Sequence, residues 1–340
     1  MRILVLGGTI FVGRHIVEAA LARGDEVTLF NRGLHGAQLF REVEQLRGDR
    51  DGDLSALAGR SWDAVVDTSG YFPRAVRASA RELADRVDHY TFISSGSVYA
   101  DFSRPGIDES APTLELAPDA PEELSSPEAY GGFKALSERA VEEALPSRAL
   151  KVRAGVIVGP HDPTNRFTYW VTRIAEGGEV LAPEPRGQPV QVVDARDLAD
   201  WVLRMADERR GGVFNAAGQG TTLEAFLTGI QDATGSDADL TWVDERFLAD
   251  AGVEPFQELP FWLAPNVDPA WAYFLALDAS QAVRAGLTFR PLAETVGDTL
   301  AWALESGPAG PKDVGVAMAP AGMSPERERG LLDVWRRRAA

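Results

Sequence analysis

Tyr130 and Lys134, four residues apart in Tyr-Gly-Gly-Phe-Lys, are the pair in this chain best suited to moving a proton. On a helix, residues four apart lie on one face, so the phenol and the ammonium would project into the same cleft. A free tyrosine has a pKa of about 10 and is a poor base at neutral pH. A neighbouring cation stabilises the phenolate and lowers that value. Such a phenol can give or take a substrate proton while a carrier moves the hydride. The run Thr91-Phe92-Ile93-Ser94-Ser95-Gly96-Ser97-Val98-Tyr99 ends an apolar stretch in hydroxyls. A hydroxyl there could donate to an oxygen that gains charge during reduction.

The carrier has its own signature. Gly7-Gly8-Thr9-Ile10-Phe11-Val12-Gly13 separates an apolar run from a segment with helical spacing at the start of the chain. Glycine serves a tight turn and lets backbone approach a pyrophosphate closely, and the helix N-terminus offers free N–H groups to the phosphates. The next strand ends in Asn31-Arg32-Gly33. An acidic residue there would take the ribose hydroxyls of NAD, whereas an arginine can pair with a 2′-phosphate. The expectation is therefore NADP(H) in preference to NAD(H). Asp49, after Leu46-Arg47-Gly48, is placed to meet the adenine amino group.

These groups need a scaffold that gathers them on one edge. Arg2–Leu6, Glu26–Phe30, Ala64–Val66 and Tyr90–Ile93 are short apolar runs expected as strands, with Leu150–Val158 as a further one. Phe11–Arg23, Pro73–Val87 and Ala129–Leu145 have helical spacing between them. Alternation of buried strands and helices implies a parallel sheet covered on both faces, an α/β Rossmann-type doubly wound fold. Ligands in such sheets bind outside the carboxyl ends of the strands.

The expected organisation is a dinucleotide-binding core over 1–160, with an acidic, Pro-rich loop at 101–127 that reads as a lid. A small α+β substrate lobe follows over 161–306, some of its segments returning to the core. A Gly/Pro/Ala-rich linker at 307–323 leads to a C-terminal helix at 324–340. In the lobe, Thr168–Glu176, Ala195–Ala206, Leu223–Ala233 and Leu292–Leu304 are expected helical, and Gln191–Val193 and Val213–Asn215 as strands. Its aromatic residues (Trp242, Phe256, Phe261, Trp262, Trp271, Tyr273, Phe274) are expected as core. Ser324 and Pro325 mark a helix start, and Leu331, Leu332 and Trp335 should dock that helix on the body.

Composition excludes several functions. The 340 residues contain no cysteine, which removes disulfides, thiol nucleophiles and thiolate metal sites. The four histidines, His15, His35, His89 and His161, have no metal-binding spacing, so no metal is expected. Net charge is −17, against a nucleic-acid groove. The one dense basic run, Arg336–Arg338, suits a helix C-terminus. No apolar run is long enough to span a membrane. The expected setting is cytoplasmic, with a small-molecule substrate and a homodimer as the default assembly.

Together these residues resemble the short-chain dehydrogenase/reductase superfamily, in its extended or atypical branch of NAD-dependent epimerase/dehydratase type, over roughly 1–305. The resemblance implies Ser95 as the catalytic hydroxyl and Tyr130 as the acid/base. It implies that Lys134 lowers the tyrosine pKa and holds the nicotinamide ribose. Gly159-Pro160 and Val193-Asp194 with Arg196-Asp197-Leu198 match the branch. Three positions depart from it. Ile10 stands where the glycine-rich turn usually has glycine. Val156 stands where many sugar-nucleotide enzymes carry an asparagine that contacts the substrate diphosphate, which counts against such a substrate. Asp67-Thr68-Ser69-Gly70-Tyr71 replaces a small-residue motif.

The expected cofactor-lining set is Gly7, Gly8, Thr9, Ile10, Phe11, Val12, Gly13, Asn31, Arg32, Asp49, Ser69, Gly70, Ser94, Tyr130, Lys134 and Val156. The expected substrate set is Tyr71, Ser97, Tyr99, His161, Arg166 and Tyr169. The sequence is also similar to bacterial proteins labelled reductases, whose distant plant relatives bind RNA in chloroplasts, a role the acidic charge opposes. The first expectation is an NADP(H)-dependent oxidoreductase acting on a carbonyl or secondary alcohol. The alternative is an NAD-dependent epimerase or dehydratase, including one acting on a nucleotide sugar, that recycles a bound cofactor. A non-catalytic dinucleotide sensor is the third.

Overall fold

The computed structural model describes residues 1–117, 122–307, 312–313, 317–318 and 320–339. Its strands are β1 Arg2–Leu6, β2 Glu26–Asn31, β3 Glu44–Arg47, β4 Trp62–Asp67, β5 Val87–Ile93, β6 Ala149–Ala154, β7 Val156–Val158, β8 Glu179–Pro183, β9 Pro189–Val190, β10 Val192–Asp194, β11 Gly212–Ala216, β12 Thr221–Thr222 and β13 Asp239–Val243. Its helices are α1 Phe11–Ala22, α2 Pro73–Leu83, α3 Pro127–Ala144, α4 Arg166–Ala175, α5 Ala195–Asp207, α6 Leu223–Thr234, α7 Glu245–Asp250, α8 Ser280–Arg284, α9 Leu292–Ser306 and α10 Pro325–Ala339.

Seven strands form one sheet in the order β3-β2-β1-β4-β5-β6-β11, every pair parallel. Side chains alternate across a strand, so β1 serves both faces. Ile3 and Val5 pack with Ile16 and Val17 of α1 and with Leu198, Trp201 and Val202 of α5. Leu4 and Leu6 pack with Val76 and Leu83 of α2, with Val141 of α3 and with Leu145 just beyond it. Strand order turns around β1, which has β2 on one side and β4 on the other. The loops leaving β1 and β4 therefore diverge and open a crevice at their carboxyl ends, the doubly wound arrangement read from the sequence.

The expected single strand Leu150–Val158 is two. Gly155 approaches Ala217 closely, and after it β7 leaves the main sheet to pair with β10. The expected helix Pro73–Val87 stops at Leu83, because Val87 is needed to open β5 opposite Trp62 of β4. Edge strand β3 and the parallel pair β8–β13 went unread, the first because Glu-Gln-Leu-Arg buries little.

Residues beyond 158 build a third core. Phe167, Trp170, Phe226, Phe261 and Trp262 are buried there, while Phe256 and Phe274 pack at its margin. Trp271 stacks on Phe102 with ring centroids 5.4 Å apart. Ser324 caps α10 by accepting from Arg327 N at 3.3 Å, and Leu331 and Leu332 enter this core. Trp335 lies against Phe247 at 5.2 Å.

The loop over 101–127 is anchored where it is described. Leu114 N donates to Val98 O at 2.7 Å, Arg153 donates to Glu109 O at 3.2 Å, and Phe102 and Ile107 are buried. Residues 118–121 of that loop lie outside the described residues, as do 308–311, 314–316 and 319 of the linker expected at 307–323.

Candidate active site

Helix α3 is set against the segment after β5 by contact between backbones. A Cβ on Gly131 would lie 2.0 Å from Ser97 O, and one on Gly132 would lie 2.4 Å from Leu116 Cγ. The glycine pair between Tyr130 and Lys134 is thus what seats the helix. Ser126 caps it by accepting from Ala129 N at 3.2 Å, and Pro127 fills its first turn.

Lys134 is 4% exposed and donates to Ile93 O at 2.9 Å. Its ammonium lies 4.9, 5.5 and 5.8 Å from the ring centres of Phe92, Tyr71 and Tyr130. Burial pulls its pKa down to about 8; Asp67 opposes that and Arg50 adds to it. Ser95 accepts from Ser97 N and donates to Ser97 Oγ, both at 3.1 Å. Burial raises the Tyr130 pKa, and the Tyr71 phenol adds to the rise; the Ser95 hydroxyl and the Arg166 guanidinium pull it back. The cation that opposes the rise is Arg166, whereas Lys134, expected from the resemblance to lower the tyrosine pKa, has its ammonium 5.8 Å from the ring centre and does not do so.

The glycine-rich turn fits the pyrophosphate of a dinucleotide. Gly7 and Gly8 adopt φ of +107° and +86°, where a side chain is strained. A Cβ on Gly13 would lie 2.8 Å from Gly8 N and 2.9 Å from Gly8 Cα. Helix α1 begins after Ile10 with no side-chain cap and no acidic residue in its first turn, which leaves its N–H groups to an anion. Phe11 opens the helix at a φ of +35°, Thr9 lies under Gly36, and Val12 packs on the α1 side of the core.

Other expected residues are placed differently. Ser94 donates to Glu138 Oε1 at 2.6 Å inside a buried network, which engages its hydroxyl. Asp49 is exposed and accepts from Asp51 N at 3.0 Å. Its neighbour Arg50 turns inward instead, forking onto the buried Asp67 with both contacts at 2.6 Å and reaching Ser69 and Ser79. This pair was missed; the signal was a carboxylate closing an apolar strand, which must find a cation. Ser69 also donates to Leu6 O at 3.2 Å, and Gly70 leaves space for Phe92. Val156 is half-buried on β7.

Of the six substrate residues, Tyr71, Ser97 and Arg166 surround the Ser95–Tyr130–Lys134 set. The other three do not. Tyr99 is buried and donates to Asn215 Oδ1 at 2.5 Å. Tyr169 is buried against Trp170 and Gly322. His161 lies between His15 and Trp302, with Arg14 3.4 Å from its Nδ1. Polar tips on otherwise apolar rings found partners in the interior, which sequence position alone did not separate from lining a cleft.

The model of the NAD dependent epimerase/dehydratase family matches residues 3–217. The chain belongs to this family. Membership overturns the expected preference for NADP(H): this family is NAD-dependent, and similar solved structures carry NAD. At the strand end, Asn31 is turned inward, accepting from Gly33 N at 2.9 Å and from Arg47, whereas Arg32 is exposed. An arginine on an exposed turn did not identify the dinucleotide.

UDP-glucuronic acid 4-epimerase from Bacillus cereus, solved with NAD, matches 90% of this chain and 99% of its own at 16% identity, with a TM-score of 0.64. UDP-N-acetylglucosamine 4-epimerase from Methanobrevibacter ruminantium, solved with UDP-N-acetylmuramic acid, matches 90% and 99% at 18% identity, with a TM-score of 0.67. These likenesses show the shared fold. The chloroplast stem-loop binding protein of 41 kDa b from Arabidopsis thaliana is 24% identical over 236 residues, covering 64% of this chain and 59% of that protein. Among the described residues no helix is long and apolar enough to cross a membrane.

The strained state of Lys134 makes a prediction. Its pKa falls from 10.5 to about 8 on folding, so the unfolded chain binds the extra proton between those values. The cost to stability is fully present below about pH 8 and fades as pH rises toward 10.5. Lys134→Met should therefore stabilise the cofactor-free protein at pH 7 by roughly 1–2 kcal/mol, after allowing for the orphaned Ile93 carbonyl, and abolish turnover. Urea midpoints at pH 7 and pH 10 check this; a variant no more stable at pH 7 would show that the ammonium is not strained.

Proposed function

We propose that this chain is an NAD-dependent epimerase or dehydratase that oxidises a carbon of a nucleotide sugar transiently and then reduces the same molecule. The observation that carries this reading is the convergence of Ser95, Tyr130 and Lys134 at the carboxyl edge of the sheet that also bears the glycine cradle, in a chain of this family. The cradle of Gly7, Gly8 and Gly13 and the N-terminus of α1 would hold the pyrophosphate of NAD. When bound, NAD supplies a hydride acceptor that can return the hydride to its source.

Tyr130 would take the proton of the reacting hydroxyl and later return it. Ser95 would hold the oxygen, its own hydroxyl oriented by Ser97. Lys134, pinned by the Ile93 carbonyl, would orient the nicotinamide-side ribose. Val156 offers no side-chain donor to a diphosphate, so that contact would fall to backbone N–H groups. A stem-loop-binding role, as in the name of the Arabidopsis relative, finds little support in a chain of net charge −17.

The test is incubation of the protein with NAD and, separately, UDP-glucose, UDP-galactose and UDP-glucuronate, followed by proton NMR of the sugar and absorbance of NADH. Conversion of a sugar without net NADH is the expected result. NADH accumulating in step with product would mean a dehydrogenase, and no conversion of any of the three would count against nucleotide sugars.

A further inference from the structure

Arg50 belongs to the turn between β3 and β4, in which Asp49 N donates to Asp53 O at 3.1 Å, but its side chain leaves that turn for the interior. There it meets Asp67, the fully buried carboxylate that closes β4. Asp67 Oδ1 accepts from Arg50 Nη1 at 2.6 Å and from Ser69 N at 3.2 Å. Oδ2 accepts from Arg50 Nη2 at 2.6 Å and from the Tyr90 hydroxyl at 2.9 Å. A carboxylate offers about four acceptor positions, two on each oxygen, so this one is full. Asp67 is in register with Phe92 on the neighbouring β5. The Lys134 ammonium lies 4.9 Å from the centre of that Phe92 ring and donates to the next carbonyl, Ile93 O. Two strand ends thus bring a buried anion and a buried ammonium to adjacent places, yet the lysine is not among the four donors. Opposite charges attract more strongly where water is excluded, so a cation already seated on the carboxylate decides whether they close. The remaining groups that face the ammonium are the rings of Tyr71, after β4, and of Tyr130, and Glu138 on α3. Asp67 and Glu138 favour its charge, whereas burial and Arg50 oppose it.

We propose that Arg50 is a positioning residue for the lysine: by occupying Asp67 it keeps that carboxylate from capturing the Lys134 ammonium, whose other N–H groups stay available to the cofactor ribose. The use made of the ammonium rests on the NAD reading above; the capture does not, and the experiment separates the two. The sequence has three lysines, Lys134, Lys151 and Lys312, so isotope labelling of lysine Cε gives three signals, which Lys151→Arg and Lys312→Arg assign. Wild type, Arg50→Lys, Arg50→Gln, Arg50→Met and the double variant Arg50→Met/Asp67→Asn are titrated with base, free of cofactor, by NMR. NAD binding to each is measured by calorimetry, and thermal melting shows which variants fold.

Wild-type Lys134 should titrate at about 8. In Arg50→Met the released carboxylate should close on the ammonium, which then holds its proton about tenfold more tightly or better. NAD should bind that variant about tenfold more weakly, the worth of one charged hydrogen bond. Arg50→Gln keeps a donor on Asp67 without the charge; it should move both readings the same way by less, and it carries the test if Arg50→Met does not fold. Arg50→Lys should stay near wild type. Removing the carboxylate as well, in the double variant, should return the titration to the wild-type value or below it and restore NAD binding, although more polar contacts have been lost. A Lys134 titration unmoved by both Arg50→Met and Arg50→Gln overturns the proposal. So does a double variant that binds NAD no better than the single one, which would make the pair a structural support alone. If the titrations move as expected but wild type binds no NAD, the cofactor reading falls and the restraint of Asp67 by Arg50 stands.

Discussion

Tyr130→Phe should lower turnover by about 10³-fold while leaving NAD affinity within a factor of about two. The substitution removes one hydroxyl and keeps the ring that stands 5.8 Å from the Lys134 ammonium, so α3 has no reason to move. What is lost is the group that carries the substrate proton, and the Ser95 hydroxyl that remains beside it can donate to an oxygen but has no suitable pKa to replace a base. The cradle at Gly7, Gly8 and Gly13 is built from another loop and is untouched. Single-turnover rates on the converted sugar, with NAD binding followed by fluorescence, test this. A variant retaining turnover within tenfold of wild type would remove Tyr130 from the acid/base role.

The largest loss of stability is expected beneath the site, from Glu138→Ala. Glu138 and Arg153 are each 6% exposed and meet in a forked pair, with Arg153 Nη2 donating to Oε2 at 2.9 Å and Nε to Oε1 at 3.1 Å. The same carboxylate accepts from Ser94, and its charge offsets part of the burial cost at Lys134. Alanine would leave the buried Arg153 guanidinium without its paired carboxylate and remove one of the two carboxylates that support the Lys134 ammonium. Removing one partner of a buried pair costs about 3–5 kcal/mol, which lowers the melting temperature by roughly 4–7 °C in a chain of this size. Glu138→Gln, which keeps the shape and one acceptor, should lose less. A melting temperature within about 2 °C of wild type for Glu138→Ala would mean that the pair contributes little.

The two variants divide the site into what performs the chemistry and what holds it. The sequence separated these unevenly. Gly7-Gly8 with Gly13, the Tyr130–Lys134 spacing and the hydroxyl run at Ser94–Ser97 were legible because each is local: a tight turn, one helix face, one strand end. The parallel, doubly wound character of the sheet was legible for the same reason, since strands buried on both faces alternate with amphipathic helices, although its edge strand β3 was not. Family resemblance then placed Ser95 beside Tyr130.

Other features could not be read locally. Ser94 and Ser95 are adjacent and alike, yet one faces Glu138 and the other the cleft, because successive side chains point to opposite sides. Asp49 and Arg50 are also adjacent. The tertiary structure gives the inward place to the arginine because Asp67, closing β4, needs a cation. Arg32 suggested the wrong dinucleotide, since an arginine on a turn shows charge without showing whether that charge reaches a ribose.

By itself, then, the sequence determined the parallel sheet, the glycine cradle and the Tyr–Lys pair, all set by periodicity and spacing within single elements. Only the tertiary structure decided which aromatic hydroxyls find partners in the interior, that Lys134 is buried with its ammonium on the Ile93 carbonyl, and that Arg50 pairs with Asp67. Those are contacts between elements far apart in the chain, where packing and the cost of burying charge choose the partners.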